Sequence, residues 1–300
     1  MSFPGKNILV TGADGFIGSH LCCSLAQTGW NVVPHSRTEV GPHLQAGEVL
    51  FHLIGRAHRS QHPRDRSEYM RINCDLALNM YRQAAESDAA GFIFVSTAKV
   101  FGESSATPLP VDAKSNPLGV YAESKHQAEL ALREAYADLG LPVTVIRPPL
   151  VYGPGVKANF RRLLDWTYRS PVLPLGAATA PRSMVSVDNL VDFMGHAAKR
   201  LNGYQVWTVK DDMSLSVCEL VKRLAFLMNK SILLPNVPRW LFEKAAFLPH
   251  VGRMMESLFD PFLIDDSGAR CTLAWEAPQS VKEALQKTVC WYLDQERRSC

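Results

Sequence analysis

The stretch that most constrains this chain is Thr11-Gly12-Ala13-Asp14-Gly15-Phe16-Ile17-Gly18, because of where it stands. It follows Asn7-Ile8-Leu9-Val10, a short apolar run of the buried-strand type, and leads into Ser19 to Thr28, which reads as a helix closed by Gly29. Strand, glycine-rich turn and helix in that order make a phosphate cradle. Glycines allow the tight turn and the close approach of backbone, and the helix N-terminus meets the negative charge. The spacing is G-x-x-G-x-x-G, so the expectation is a dinucleotide whose pyrophosphate lies on Gly12, Gly15 and Gly18. A plain tight turn is the competing reading.

The second strand, Asn31-Val32-Val33, ends near His35-Ser36-Arg37. An acidic residue at this place holds the ribose hydroxyls of NAD. Ser36 and Arg37 suit a 2′-phosphate better, which points to NADP rather than NAD; a solvated loop arginine is the alternative. Only Thr38 to Gly47 separate this strand from the next, Glu48 to Gly55. A full strand-helix-strand unit does not fit in that span, so a shortened sheet edge on the adenine side is expected. Leu53 and Gly55 end the third strand beside the expected cofactor. Arg56 or His58 then faces the substrate or, as the plainer alternative, solvent.

Further along, Phe92-Ile93-Phe94-Val95 runs into Ser96-Thr97, and a helix from Tyr121 to about Leu139 carries Tyr121-Ala122-Glu123-Ser124-Lys125. Tyr and Lys one helical turn apart share a face. A phenol with a pKa near ~10 is a poor acid or base at neutral pH, and a cation beside it stabilises the phenolate. Thr97 at the strand end is placed to bond the same substrate oxygen. Most Tyr-x-x-x-Lys pairs are ordinary helix surface, so the weight comes from the strand and glycine turn that precede this one.

Strands and helices alternate through Pro142 to Arg147, where Pro148-Pro149 breaks the strand. The fold class expected is α/β: a Rossmann-type doubly wound parallel sheet with a small C-terminal substrate-binding lobe. The dinucleotide-binding domain is expected over 1–156, with 183–210 returning to it, and the lobe over 157–182 and 211–300. Ser214 is a plausible cap for a helix reaching Met228. The segment from Pro235 to Phe262, apolar, basic and broken by prolines, is read as packing within the lobe rather than as a membrane-surface helix.

Composition excludes much. With 47% hydrophobic and 20% charged residues and a net charge of +3 over 300 residues, this is an ordinary globular chain with no nucleic-acid surface. Seven scattered cysteines show neither C-x-x-C nor zinc spacing, so reduced thiols and no metal are expected. No export signal or apolar run of membrane-spanning length is visible, so a cytoplasmic location without membrane insertion is expected.

Thr11-Gly12-x-x-Gly15-x-x-Gly18, Ser96-Thr97, Tyr121-x-x-x-Lys125 and Arg147-Pro148-x-x-Val151-Tyr152-Gly153-Pro154 stand in order along the chain. Together they resemble the extended short-chain dehydrogenases/reductases, the epimerase/dehydratase family acting on nucleotide sugars. The resemblance implies Thr97 as the hydroxyl on the sugar oxygen, Tyr121 as catalytic acid/base, and Lys125 as the residue that binds the nicotinamide ribose and depresses the tyrosine pKa. It implies cofactor contacts from Gly12, Gly15, Phe16, Ile17, Gly18, Leu53, Gly55 and Pro148. For the substrate it implies Lys99, Asn159 and Arg182, the last two toward the nucleotide diphosphate. A helix-start role for Asn159 and a solvated loop charge for Arg182 compete. Family members are often dimers through two helices, here 69–87 and 121–139, so a homodimer is expected.

Within the family, Lys99-Val100-Phe101-Gly102-Glu103 and Arg147 to Phe160 resemble bacterial enzymes that reduce a UDP-4-keto-6-deoxy-N-acetylhexosamine. UDP-galactose 4-epimerases usually carry asparagine where this chain has Leu150 and a small or hydroxyl residue where it has Lys99. The expectation is a 4-keto reductase on a UDP-sugar. A UDP-hexose or UDP-N-acetylhexosamine 4-epimerase is the first alternative, and a non-catalytic NADP-binding regulatory protein the second. Dehydratase chemistry usually needs an acid/base pair after the threonine, where this chain has Ala98-Lys99.

Overall fold

The protein is seen as a computed structural model that describes residues 7–35, 44–57, 65–238, 240 and 258–299. Its strands are β1 (Asn7–Thr11), β2 (Asn31–His35), β3 (Val49–His52), β4 (Gly91–Val95), β5 (Ser105–Leu109), β6 (Val143–Arg147), β7 (Leu150–Tyr152), β8 (Met184–Ser186), β9 (Tyr204–Thr208) and β10 (Phe262–Ile264). Its helices are α1 (Phe16–Gln27), α2 (Arg66–Met70), α3 (Leu76–Glu86), α4 (Val120–Leu139), α5 (Ala158–Arg169), α6 (Val187–Ala198), α7 (Val217–Leu227), α8 (Ser267–Leu273) and α9 (Val281–Ser299). A π turn, Arg71–Asp75, joins α2 to α3.

Six strands make one sheet in the order β2-β1-β3-β4-β6-β9, all neighbours parallel. The inner strands β3, β4 and β6 are buried along their whole length, as a sheet covered on both faces requires. Alternation sends Ile8 and Val10 to one face, with Phe51, Ile93, Phe193 and Trp275, under α1 and α6. Leu9, Leu50, Phe92 and Phe94 take the other face, under α3 and α4. A second hydrophobic cluster packs Phe160, Leu164, Leu220 and Tyr292 between α5, α7 and α9. Phe16 touches the core of both.

Among the described residues β2 bonds β1 alone and is half exposed, so the sheet does end early on that side. Two smaller parallel pairs, β5 with β10 and β7 with β8, stand outside the main sheet. β5 lies inside the stretch expected to be loop, where Pro108 and Thr107 hide a strand that finds its partner far along the chain. α1 begins at Phe16, not Ser19, because Gly15 is already its extended N-cap. α7 is capped by Ser216, not Ser214: Ser216 and Glu219 form a reciprocal capping box, whereas the Ser214 hydroxyl pairs with that of Ser183 at 3.2 Å. The stretch from Pro235 to Phe262 lies mostly outside the described residues. Among the described residues no helix is long and apolar enough to cross a membrane.

Candidate active site

The glycine turn is held against the neighbouring strands by its own backbone. Gly12 has φ +74° and its N–H donates to His35 O at 3.0 Å; a Cβ there would meet Leu53 C and Ile54 N at 3.1 Å. Gly18 is tighter. A Cβ on it would stand 2.1 Å from Gly12 O, so the first turn of α1 lies directly on the β1 exit. No side chain caps α1 and no acid stands in its first turn, leaving the N-terminal N–H groups and dipole to an anion. Phe16 and Ile17 occupy that turn, partly buried. These features fit a dinucleotide pyrophosphate. Ser36 and Arg37, expected to read the ribose, lie outside the described residues, as does His58.

Across the C-terminal ends of the strands the catalytic candidates converge. Thr97 follows β4, is nearly buried, and accepts a hydrogen bond from Lys99 N at 3.2 Å. Its side chain is hydrogen-bonded to the Tyr121 hydroxyl. Burial pushes the Tyr121 phenol up to about 12, with the Thr97 bond pulling the other way; the lowering expected from Lys125 is not found, because burial outweighs it in the free protein. Lys125 is buried, and its ammonium donates to Val95 O at 2.8 Å and lies 4.4 Å from the Phe94 ring centroid. Burial lowers it to about 7, against which Glu129 acts to raise it.

Gly55 is brought to the same place, since a Cβ on it would be 3.3 Å from Lys125 Nζ. Pro148 is buried, and its carbonyl accepts from Ala98 N at 2.8 Å, tying the exit of β6 to that of β4. Lys99 turns outward to Glu103, with both carboxylate oxygens at 2.8 Å. Arg182 donates to the carbonyls of Asp260 and Glu103 and lies over the Phe262 ring at 5.5 Å. Burial lowers its pKa, so it is no solvated loop charge. Glu103 and Asp260 line a cavity of about 200 Å³ with Gly102, Asn116 and Leu118. Asn159 is exposed in the first turn of α5, shortly after Gly155, where a Cβ would lie 3.6 Å from Phe16.

A further residue at this place is Asn73, in the stretch 69–87 of helical period. It is fully buried in the π turn: its Oδ1 accepts from Arg56 N at 2.7 Å, and its Nδ2 donates to Arg56 O at 3.1 Å and Ser124 Oγ at 2.9 Å. It thus pins the turn after β3 to α4, beside Gly55. Arg56 itself pairs with Glu68 and covers the Tyr69 ring at 5.1 Å. The available signal was an uncharged amide at an inward position of the helical period.

The model of the NAD dependent epimerase/dehydratase family matches residues 8–209. A UDP-glucose 4-epimerase of Vibrio cholerae is 30% identical over 98% of this chain and 97% of its own length. A UDP-2-acetamido-2,6-beta-L-arabino-hexul-4-ose reductase of Pseudomonas aeruginosa is 29% identical over 84% of this chain and 66% of its own. The solved UDP-glucuronic acid 4-epimerase of Bacillus cereus, in complex with NAD, superposes with a TM-score of 0.79 at 20% identity, covering 96% of this chain and 99% of that one. The chain belongs to the NAD dependent epimerase/dehydratase family.

Proposed function

We propose that this protein reduces the 4-keto group of a UDP-4-keto-6-deoxy-N-acetylhexosamine, with NADPH or NADH as cofactor. The observation that carries this reading is the Thr97–Tyr121 pair at the end of β4, whose phenol stays protonated at neutral pH. Gly12, Gly15, Gly18, Phe16 and Ile17 hold the pyrophosphate, and Gly55, Pro148 and Lys125 line the nicotinamide end. When bound, the nicotinamide supplies the hydride. Tyr121 gives its proton to the oxygen at carbon 4 as negative charge develops there. Thr97 bonds the same oxygen, a donor already in place for the transition state. The Pseudomonas relative, named as a reductase, supports the direction. Lys99, Arg182 and Asn159 are the substrate contacts of this reading.

A UDP-sugar 4-epimerase is the second reading, favoured by the full-length likeness to the Vibrio epimerase. It would begin by taking a proton from the hydroxyl at carbon 4, with Tyr121 as the acceptor. One experiment separates the two. The protein is mixed with a UDP-4-keto-6-deoxy-N-acetylhexosamine and NADPH or NADH, and in parallel with UDP-glucose or UDP-N-acetylglucosamine and no added cofactor. Stoichiometric loss of cofactor absorbance in the first mixture is expected. Interconversion of sugars in the second, with no oxidation in the first, replaces the reductase by the epimerase.

A further inference from the structure

Behind the catalytic candidates lies a buried charge that the mechanism above does not use. Glu129 stands one turn after Lys125 on α4 and is 3% exposed; Arg147 ends β6 and is 8% exposed. The Arg147 Nε lies 3.1 and 3.2 Å from the two carboxylate oxygens and Nη2 lies 2.6 Å from Oε2. The Ser96 hydroxyl donates to Oε1. The remaining nitrogen, Nη1, donates to Val111 O at 2.9 Å, and the guanidinium lies 4.9 Å from the Phe101 ring.

Each member of this cluster adjoins a site residue. Ser96 precedes Thr97, Arg147 precedes Pro148, and Glu129 follows Lys125 by one turn. Backbone bonds of 2.8 Å from Ser96 N to Ile146 O and from Ala98 N to Pro148 O lock the two strand exits together. A buried ion pair is a poor source of net stability, since apolar groups of the same volume often do as well. Its placement has a use in the reaction instead.

We propose that Glu129 is a positioning residue: held by Arg147 and Ser96, it supplies the fixed negative charge that keeps buried Lys125 cationic, and it sets the strand exits that carry Thr97 and Pro148. This rests on the oxidoreductase reading above. The other groups around Lys125 offer no buried anion. His52 on β3 is neutral, Tyr121 is a protonated phenol, and Asn73 is an amide; Arg71 and Asp75 of the π turn are exposed, and Arg147 is itself paired with Glu129.

The test reads Lys125 directly. In protein carrying lysine enriched in ¹³C at Cε, the Lys125 resonance is assigned by its loss in Lys125→Arg and titrated by NMR. In Glu129→Gln its midpoint is expected to move to lower pH, and in Glu129→Asp, which keeps the charge, to return toward the wild-type position. The double variant Glu129→Gln/Arg147→Gln removes both charges of the buried pair, so that Arg147 is not left unpaired, and guards against misfolding; there a smaller displacement in the same direction is expected. In the same variants kcat measured above the midpoint falls about tenfold for every pH unit by which the midpoint drops, following the charged fraction. A midpoint at the wild-type position in both Gln variants, or one displaced as far in Glu129→Asp as in Glu129→Gln, overturns the proposal. A wild-type protein inert toward every UDP-sugar overturns the proposed function instead, and the titration is still read.

Discussion

The ammonium of Lys125 lies 2.8 Å from the carbonyl oxygen of Val95, so the charge is buried against the end of β4. Burial brings its pKa from 10.5 to about 7, while Glu129 resists. Between those two values the unfolded chain binds a proton that the native protein does not, so stability gains from this group as pH rises through the window, and below about 7 the native state carries the whole cost of the buried charge. Lys125→Met keeps the length and removes the charge. Losing the bond to Val95 gives back about 1–3 kcal/mol. The variant is expected to melt higher than wild type at pH 6, with the gain shrinking toward pH 10, and to be inactive. Thermal scans at pH 6, 8 and 10 check this; a lower melting point at pH 6 contradicts it.

Tyr121 is held on the protonated side by the same burial, at about 12. The reductive rate is therefore expected to show no loss attributable to this phenol between pH 6 and 9. Tyr121→Phe removes the proton and leaves the ring, which meets Tyr69 edge-on at 6.5 Å between centroids. We expect kcat to fall about 10²- to 10⁴-fold, the usual worth of a positioned acid. Cofactor affinity should change little. Steady-state rates with a direct titration of NADPH binding give both numbers, and turnover near the wild-type value removes Tyr121 from the mechanism.

The sheet and its glycine turn were legible because each rests on local pattern: apolar runs of strand length, alternating with helical periods and closed by glycine. That Thr97 stands at the exit of a strand and that Tyr121 and Lys125 share a helix was legible for a related reason, since each lies close to the end of a readable element. What escaped reading depends on contact across the chain. Glu129 looks like an ordinary acid on a long helix, and Arg147 like the polar end of a strand; their union is visible only when α4 lies on β6. β5 has an indifferent sequence and exists because β10, from far along the chain, pairs with it. His52 reads as the polar end of a strand yet is fully buried, stacked between Phe92 and Phe94.

Gly18 and Gly55 face different neighbours, and this separates what a substitution at each would do. At Gly18 a Cβ would meet backbone, Gly12 O at 2.1 Å and Ala13 Cα at 2.9 Å, and backbone cannot swing aside. At Gly55 it would meet the far end of the Lys125 side chain at 3.3 Å, which can. Gly18→Ala is expected to cost about 1–3 kcal/mol or more as overpacking and to abolish cofactor binding. Gly55→Ala should fold and bind cofactor, but lower kcat by displacing Lys125. Cofactor titration and melting of the two variants side by side check the contrast; equal loss of binding in both removes it.

His52 makes the acid limb of stability specific. Its Nδ1 is 3.0 Å from Thr11 Oγ1, and burial, with the Lys125 charge adding to it, lowers its pKa to about 3. As pH falls below 6.5 the unfolded chain takes up a proton that the native protein refuses until about 3, so stability is lost through that window. The slope is about 1.4 kcal/mol per pH unit for one such group. His52→Phe keeps a ring between Phe92 and Phe94 and has nothing to titrate. Its own stability need not equal that of wild type, because only the change with pH is compared. Between pH 6.5 and 4.5, the loss measured by urea unfolding is expected to be smaller in the variant by about 2 kcal/mol, less than twice that slope because the unfolded imidazole is only half protonated at pH 6.5. Equal losses in the two proteins mean that His52 is protonated in the native state, which its burial beside Lys125 forbids.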